Sequence, residues 1–172
     1  MDLSYSLNTL YFLLSGVLVM WMAAGFTMLE AGSVRSKNVI EILLKNVALY
    51  SVASIGFLLG GYSLMYGWGD IDTHSVYSDF FFQVVFAATA MSVVSGAVAE
   101  RKKLWTFLLF AAIFTTVIYP IQGSWSWGGG WLSERGFSDF AGSGIVHMAG
   151  AAAALAGVLI LGARRGKYSK DG

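Results

Sequence analysis

One histidine, His147, stands inside the stretch from Asp139 to Arg164, DFAGSGIVHMAGAAAALAGVLILGAR, with no other ionisable side chain from Phe140 to Ala163. An imidazole can accept one hydrogen bond and donate another, so it can hand a proton along a narrow path. Placing an ionisable residue in apolar surroundings of that length costs roughly 2.5–3.5 kcal/mol, which marks His147 as a functional candidate. Its plainer role would be a hydrogen bond to a neighbouring helix. Asp139 lies eight residues earlier, about 12 Å along a helix axis. A carboxylate there can cap the helix by accepting its first-turn amides. It could also draw cations toward a pore mouth, or touch the permeating species itself.

Two phenylalanines, Phe82 and Phe86, sit four apart in FFQVVFAATAMSVVSGAVAER and share one helix face. Phenylalanine in an apolar helix usually packs or meets lipid. Counted along the helices, however, Phe86 falls about 9 Å and His147 about 10 Å inside the same end. An aromatic plug above a histidine would exclude water and let a small neutral molecule past when it turns. Trp127 would sit just beyond that plug. The face of an indole attracts a cation by about 0.5–2 kcal/mol, depending on desolvation. Trp125 and Trp131 read as anchors at a membrane interface. Between them, Gly128, Gly129 and Gly130 permit backbone shapes closed to other residues.

The elements that must hold these residues follow from composition. Hydrophobic residues make up 56% of the 172 and charged residues 12%; a soluble domain carries about 25% charged. Charge-free runs recur at 3–29, 46–69, 80–99, 104–133 and 140–163. Each is long enough to cross hydrocarbon, so an all-α membrane protein with five transmembrane helices is expected. The runs are continuous, not alternating, which argues against a β-barrel. The first run lacks a basic leader and is too long for a signal peptide. Gly56 with Gly60, Ser92 with Gly96, and Gly150 with Ala154 have the spacing that lets helix backbones approach closely. Pro120, the only proline, is expected to bend or end the fourth helix.

Charge sets orientation. Arg35, Lys37 and Lys45 flank the first turnaround, Arg101, Lys102 and Lys103 form the third loop, and Arg164, Arg165, Lys167 and Lys170 follow the fifth run. Ten of the eleven basic residues therefore fall on one side, with Arg135 on the other. The positive-inside rule makes the loaded side cytoplasmic, with the N-terminus outside and the C-terminus inside. Asp2, Asp70, Asp72, Asp79, Glu134 and Asp139 leave the outer face acidic, which mildly favours cations. There is no cysteine and no pairing of nucleophile with base, so enzyme catalysis is not expected. No cofactor, metal or nucleic acid is expected either. The sole remaining histidine, His74, falls in an outer loop.

Residue by residue, the chain resembles the ammonium transporter (Amt, methylammonium permease, Rhesus) family. DFAGSGIVH resembles the fifth-helix motif that carries the first of two pore histidines, here His147. FFQVVFA resembles the segment of the outer gate phenylalanine, here Phe86, and WGGG from Trp127 resembles the entrance tryptophan region. GFTMLEAGSVRSKN and GAVAER resemble landmarks of the first helix and third loop. The resemblance implies ammonium recruited at an outer mouth by Trp127, gated at Phe86, and passed as ammonia by His147 in a multi-pass protein of the cell membrane. Methylammonium is a further candidate substrate, membrane lipid the surrounding partner, and a homotrimer the implied assembly. Family members have eleven helices in two inverted five-helix halves plus one. The expectation for residues 1–172 is therefore one N-terminal half of an inverted-repeat transporter fold, with the second half absent. A membrane ammonium sensor or a non-conducting truncated fragment are the alternatives.

Overall fold

A computed structural model describes residues 2–164 and 166. Arg165, Lys167 and Lys170, counted above for orientation, lie outside the described residues. Among the described residues the chain is all-helical, and five helices are long and apolar enough to cross a membrane: α1 (Leu3–Ser33), α2 (Ser36–Met65), α3 (Val76–Ala97), α4 (Leu104–Ser124) and α5 (Ser143–Leu161). A helical turn, Trp131–Glu134, lies between the last two.

The centre of the bundle is α3, which packs against α1, α2 and α5 and touches the middle of α4. Its small residues explain why. Ala87, Ala88 and Ala90 are wholly buried with Val85 and Met91, so neighbouring backbones can close in on every side. Gly150 of α5 is one such approach: a Cβ there would lie 2.5 Å from the carbonyl oxygen of Ala90. The core continues through Leu49 and Phe57 of α2, Ala111 and Phe114 of α4, and Ile145 and Val146 of α5. By contrast α1 buries only Gly16 and Glu30, and its outward face is leucine-rich. Exposed Leu10, Leu14, Leu59, Trp105 and Ile160 are at home against hydrocarbon chains.

Three of the helices contain a wide π turn, at Phe57–Gly61, Phe114–Ile118 and Ser143–Met148. The first two face one another across the α2–α4 contact. Pro120 lies two residues after the second, and the helix continues past it to Ser124. The Tyr119 amide donates to the Phe114 carbonyl in the wide turn just ahead of the proline, and the helix is adjusted there, not ended.

Element boundaries depart from the charge-free runs at several ends. The second helix begins at Ser36, ten residues before the run at 46, because Lys37, Glu41 and Lys45 lie within it. Lys45 is thus not a loop residue. It is fully buried, with its Nζ 2.5 Å from Glu30 Oε2 of α1, and Asn46 Nδ2 donates to the same oxygen at 3.3 Å. A paired charge can be accommodated inside a bundle where a lone one could not. The fourth run ends nine residues early, since the glycine-rich segment after Ser124 folds as turns.

Candidate functional site: an aromatic file at the tryptophan end

The segment joining α4 to α5 is shaped by its glycines. Gly129 has φ +75°, and the amides of Gly128, Gly129 and Gly130 donate back to Gly123, Ser126 and Ser124 carbonyls at 3.0–3.2 Å. These turns point Trp127 inward while Trp125 and Trp131 stay outside, exposed and packed on one another at 5.9 Å. The Trp127 indole Nε1 donates to the backbone carbonyl of Asp139 at 2.7 Å, which fixes the ring against the start of α5.

Asp139 is the organising residue of that start. One carboxylate oxygen accepts from the amides of Gly142 and Ser143, both at 3.0 Å, and from the Ser143 hydroxyl at 3.3 Å. The other accepts from Gly144 at 2.9 Å and Ile145 at 2.7 Å. Four amides that open the helix would otherwise be orphaned in a dry setting. Burial by itself disfavours the charged carboxylate. The amides of Ile145, Gly144 and Gly142 and the Ser143 hydroxyl outweigh it and hold the group below its ordinary value. Gly142, at φ +83°, makes the turn possible, and a Cβ there would lie 3.0 Å from the tip of the Trp127 ring. Asp139 and Trp127 are therefore bound into one unit by main-chain geometry. The carboxylate is spent on capping.

Trp127 meets Phe86 edge to face, with ring centroids 5.5 Å apart at 69°. Phe86 meets Phe82 at 5.0 Å and 88°, so the i, i+4 pair on α3 lies in contact. Edge-to-face contacts at these separations are the favoured geometry for aromatic rings. Two residues not among the sequence-predicted site residues extend the file. Phe12 of α1 packs edge-on to Phe82 at 5.3 Å, and His74 stacks flat on Phe12 at 3.9 Å and 11°. Phe12 carries no signal within a uniformly apolar run. His74 did carry one, as a histidine beside Asp72 and Asp79, but loop position alone does not announce a stack.

His147 lies within the wide turn that begins α5, its amide donating to the Gly142 carbonyl at 3.0 Å. Because α5 starts at Ser143, the residue is about 6 Å into the helix, less than the depth expected from a run starting at Phe140. Its side chain is exposed, and no ring of the file stacks on it among the described residues. Trp127, Phe86, Phe82 and the Asp139 backbone are thus brought together, and His147 stands apart. Elsewhere α3, α4 and α5 enclose an apolar groove of about 600 Å³, lined by Val94, Phe110, Phe114, Tyr119, Ala153 and Ile160 among others and not by His147.

The Ammonium Transporter Family model matches residues 10–172. A putative ammonium transporter of Synechocystis sp. is 42% identical over 97% of this chain and 42% of its own length. Ammonium transporter Amt2 of Archaeoglobus fulgidus is 45% identical over 93% of this chain and 39% of its own length. A solved structure described as a sensor Amt protein superimposes with a TM-score of 0.89 at 36% identity, covering 98% of this chain and 47% of that one. The chain belongs to the ammonium transporter family. It is a multi-pass membrane protein of a family of transporters, not enzymes. It spans about two-fifths of the length of these curated relatives.

Proposed function

We propose that this chain forms the ammonium-recruiting half of an ammonium channel. The observation that carries the reading is the Trp127–Phe86 contact at 5.5 Å, with the indole tied to the Asp139 carbonyl by its N–H. That arrangement leaves indole surface for a small cation and sets a closed aromatic plug directly behind it. Ammonium in a narrow dry pore would carry a large desolvation penalty, which ammonia largely avoids. A cation without a removable proton has no such route, so the pore selects against it. Trp127 is the recruiting surface, Phe86 backed by Phe82 is the gate, and His147 is one member of the conducting lining. Asp139 acts through the cap that holds Trp127, not by contact with the permeating molecule.

The five-helix unit, residues 1–172, works in this reading as the N-terminal half of an inverted-repeat pore. The exposed His147 side chain is what such a half offers to its counterpart. The protein lies in the cell membrane with its tryptophan end outside and its basic end in the cytoplasm. It assembles with membrane lipid and as a homotrimer, and takes methylammonium as an alternative substrate. A sensing role is the second reading, favoured by the likeness to the sensor Amt structure.

The test is methylammonium uptake by the full-length protein carrying this chain, in cells lacking their own ammonium transporters. Uptake that His147→Ala abolishes, with membrane abundance unchanged, is expected. Saturable binding without uptake would overturn transport in favour of sensing.

A further inference from the structure

His74 is the outermost ring of the aromatic file, and it sits between two partners of different chemistry. One face lies flat on Phe12 at 3.9 Å. Its Nε2 is buried, makes no hydrogen bond, and lies 3.7 Å from Asp79 Oδ1 of α3. Its Nδ1 is 2.9 Å from the Thr73 hydroxyl. The gap to Asp79 is too long for a hydrogen bond but short enough for an ion pair once the imidazole gains a proton. The side chain remains 13% exposed, so protons from solution can reach it.

The surroundings are arranged to convert that proton into position. Asp79 is fixed from behind by the Tyr62 hydroxyl, which donates to Oδ2 at 2.6 Å, and by Gln83, which is itself bonded to the Tyr66 hydroxyl. Asp70 borders the same cavity of about 320 Å³, together with Tyr62, Tyr66 and Ile71. From α1 the groups holding the loop carry no charge: Asn8 donates to the Thr73 carbonyl at 3.1 Å, and Thr9 accepts from the Ser75 amide at 3.0 Å. The charged groups facing the imidazole from the loop and α3 are thus Asp70 and Asp79, both of the sign that pairs with its protonated form. Tyr62 and Tyr66 are the titratable groups facing it from α2.

We propose that His74 and Phe12 are positioning residues for the Phe86 gate, joined to Asp79 as a latch that responds to the pH of the outer solution. Histidine is the side chain whose charge ordinarily changes between pH 5 and 8. When protonated, His74 draws onto Asp79, which stays on α3, and presses Phe12 against Phe82. The file Phe12–Phe82–Phe86–Trp127 then holds its closed packing more firmly. When neutral, the loop is free to lift and the rings to turn. The gating consequence rests on the reading of Phe86 as the gate; the latch itself does not.

Residues 1–172 contain no cysteine, so once any cysteine elsewhere in the full-length protein is replaced by serine, a single introduced thiol reports cleanly. In full-length protein in intact cells, Ile71→Cys in the latch cavity is labelled with an impermeant maleimide, relative to a reference Ser133→Cys that cancels thiol ionisation. Between pH 8 and pH 5.5 the ratio should fall about two- to fivefold, the size of effect expected for a partly exposed ion pair. His74→Phe keeps the stacked ring and loses the charge, so it should abolish the fall. An equal fall in His74→Phe would overturn the latch. Methylammonium uptake should slow over the same acid range in the unaltered protein, and less in His74→Phe. Phe12→Leu, which keeps the latch and removes the ring contact, should retain the labelling response and lose the uptake response. Identical uptake profiles in all three would overturn the link to the gate. Absence of uptake at every pH would contradict the transport reading, while the labelling ratio would still decide the latch.

Discussion

The two ends of this bundle solve the same problem with opposite materials. At the tryptophan end, the orphan amides of α5 converge on one carboxylate, and the rest of the site is aromatic surface held edge to face. At the basic end, full charges are brought into contact. Glu100, in the left-handed region at φ +62°, receives the Arg35 amide and guanidinium, the Asn38 side chain and Arg164, so it joins the ends of α1, α2, α3 and α5. A turn deeper, Lys45 and Glu30 pair inside the bundle. A pathway for a molecule that must shed its charge needs surfaces that attract a cation weakly and release it, which aromatic faces supply. Ion pairs hold helices in place and offer a passing cation little. In the proposed reading, the difference gives anchoring to one end and recognition to the other.

The sharpest way to break this contrast is to leave a charge alone at the anchoring end. Lys45→Met would strand Glu30 in the bundle, and should cost about 3–5 kcal/mol, read as a large drop in the unfolding temperature of detergent-solubilised protein. Adding Glu30→Gln should recover most of the loss. If the single change were neutral, the pair would not be an anchor.

At the recognition end, Asp139→Ala should cost about 2–3 kcal/mol, since several amides lose a charged acceptor together. Asp139→Asn keeps one acceptor oxygen and should cost about half as much by the same measurement. Impaired uptake in both variants should track the loss of stability, because the cap acts through the placement of Trp127. Uptake abolished in a fully stable Asp139→Asn would instead make the carboxylate a direct contact.

The smallest effect belongs to Glu100. Burial raises its value, but the Arg35 side chain and amide, the Asn38 side chain and the Arg35 charge outweigh it and hold it at about 2, below the ordinary 4.5. A lowered folded value means that the contribution is complete above pH 4.5 and is lost as pH falls through about 2. Glu100→Gln should therefore unfold with a shallower acid dependence in that window, and lose less than about 1 kcal/mol at pH 7 because the pair is screened. An unchanged acid profile would remove the clamp from the account.

The same contrast explains what could be read from the sequence. Five spanning helices and the shared Phe82–Phe86 face were legible because apolar length and i, i+4 spacing survive folding unchanged. The start of α2 was not legible, since a rule that ends helices at charges cannot know that Lys45 finds Glu30 on another helix. Phe12 and His74 escaped for the same reason. Their importance lies in contacts some sixty residues distant in the chain, and no local pattern encodes them. The capping role of Asp139 was legible as an option, because an aspartate ahead of an apolar run has a defined task with amides. The wide turn that carries His147 had no sequence signature.

Trp127, and not the tryptophans beside it, is the residue proposed to meet the cation. Methylammonium uptake by the full-length protein across a concentration series compares Trp127→Leu with Trp125→Leu most directly. Loss of a cation–π face worth about 0.5–2 kcal/mol should raise the half-saturating concentration about two- to thirtyfold for Trp127→Leu, with Trp125→Leu close to the unaltered protein. Equal shifts in the two variants, or a larger one in Trp125→Leu, would contradict the assignment of recognition to the aromatic file.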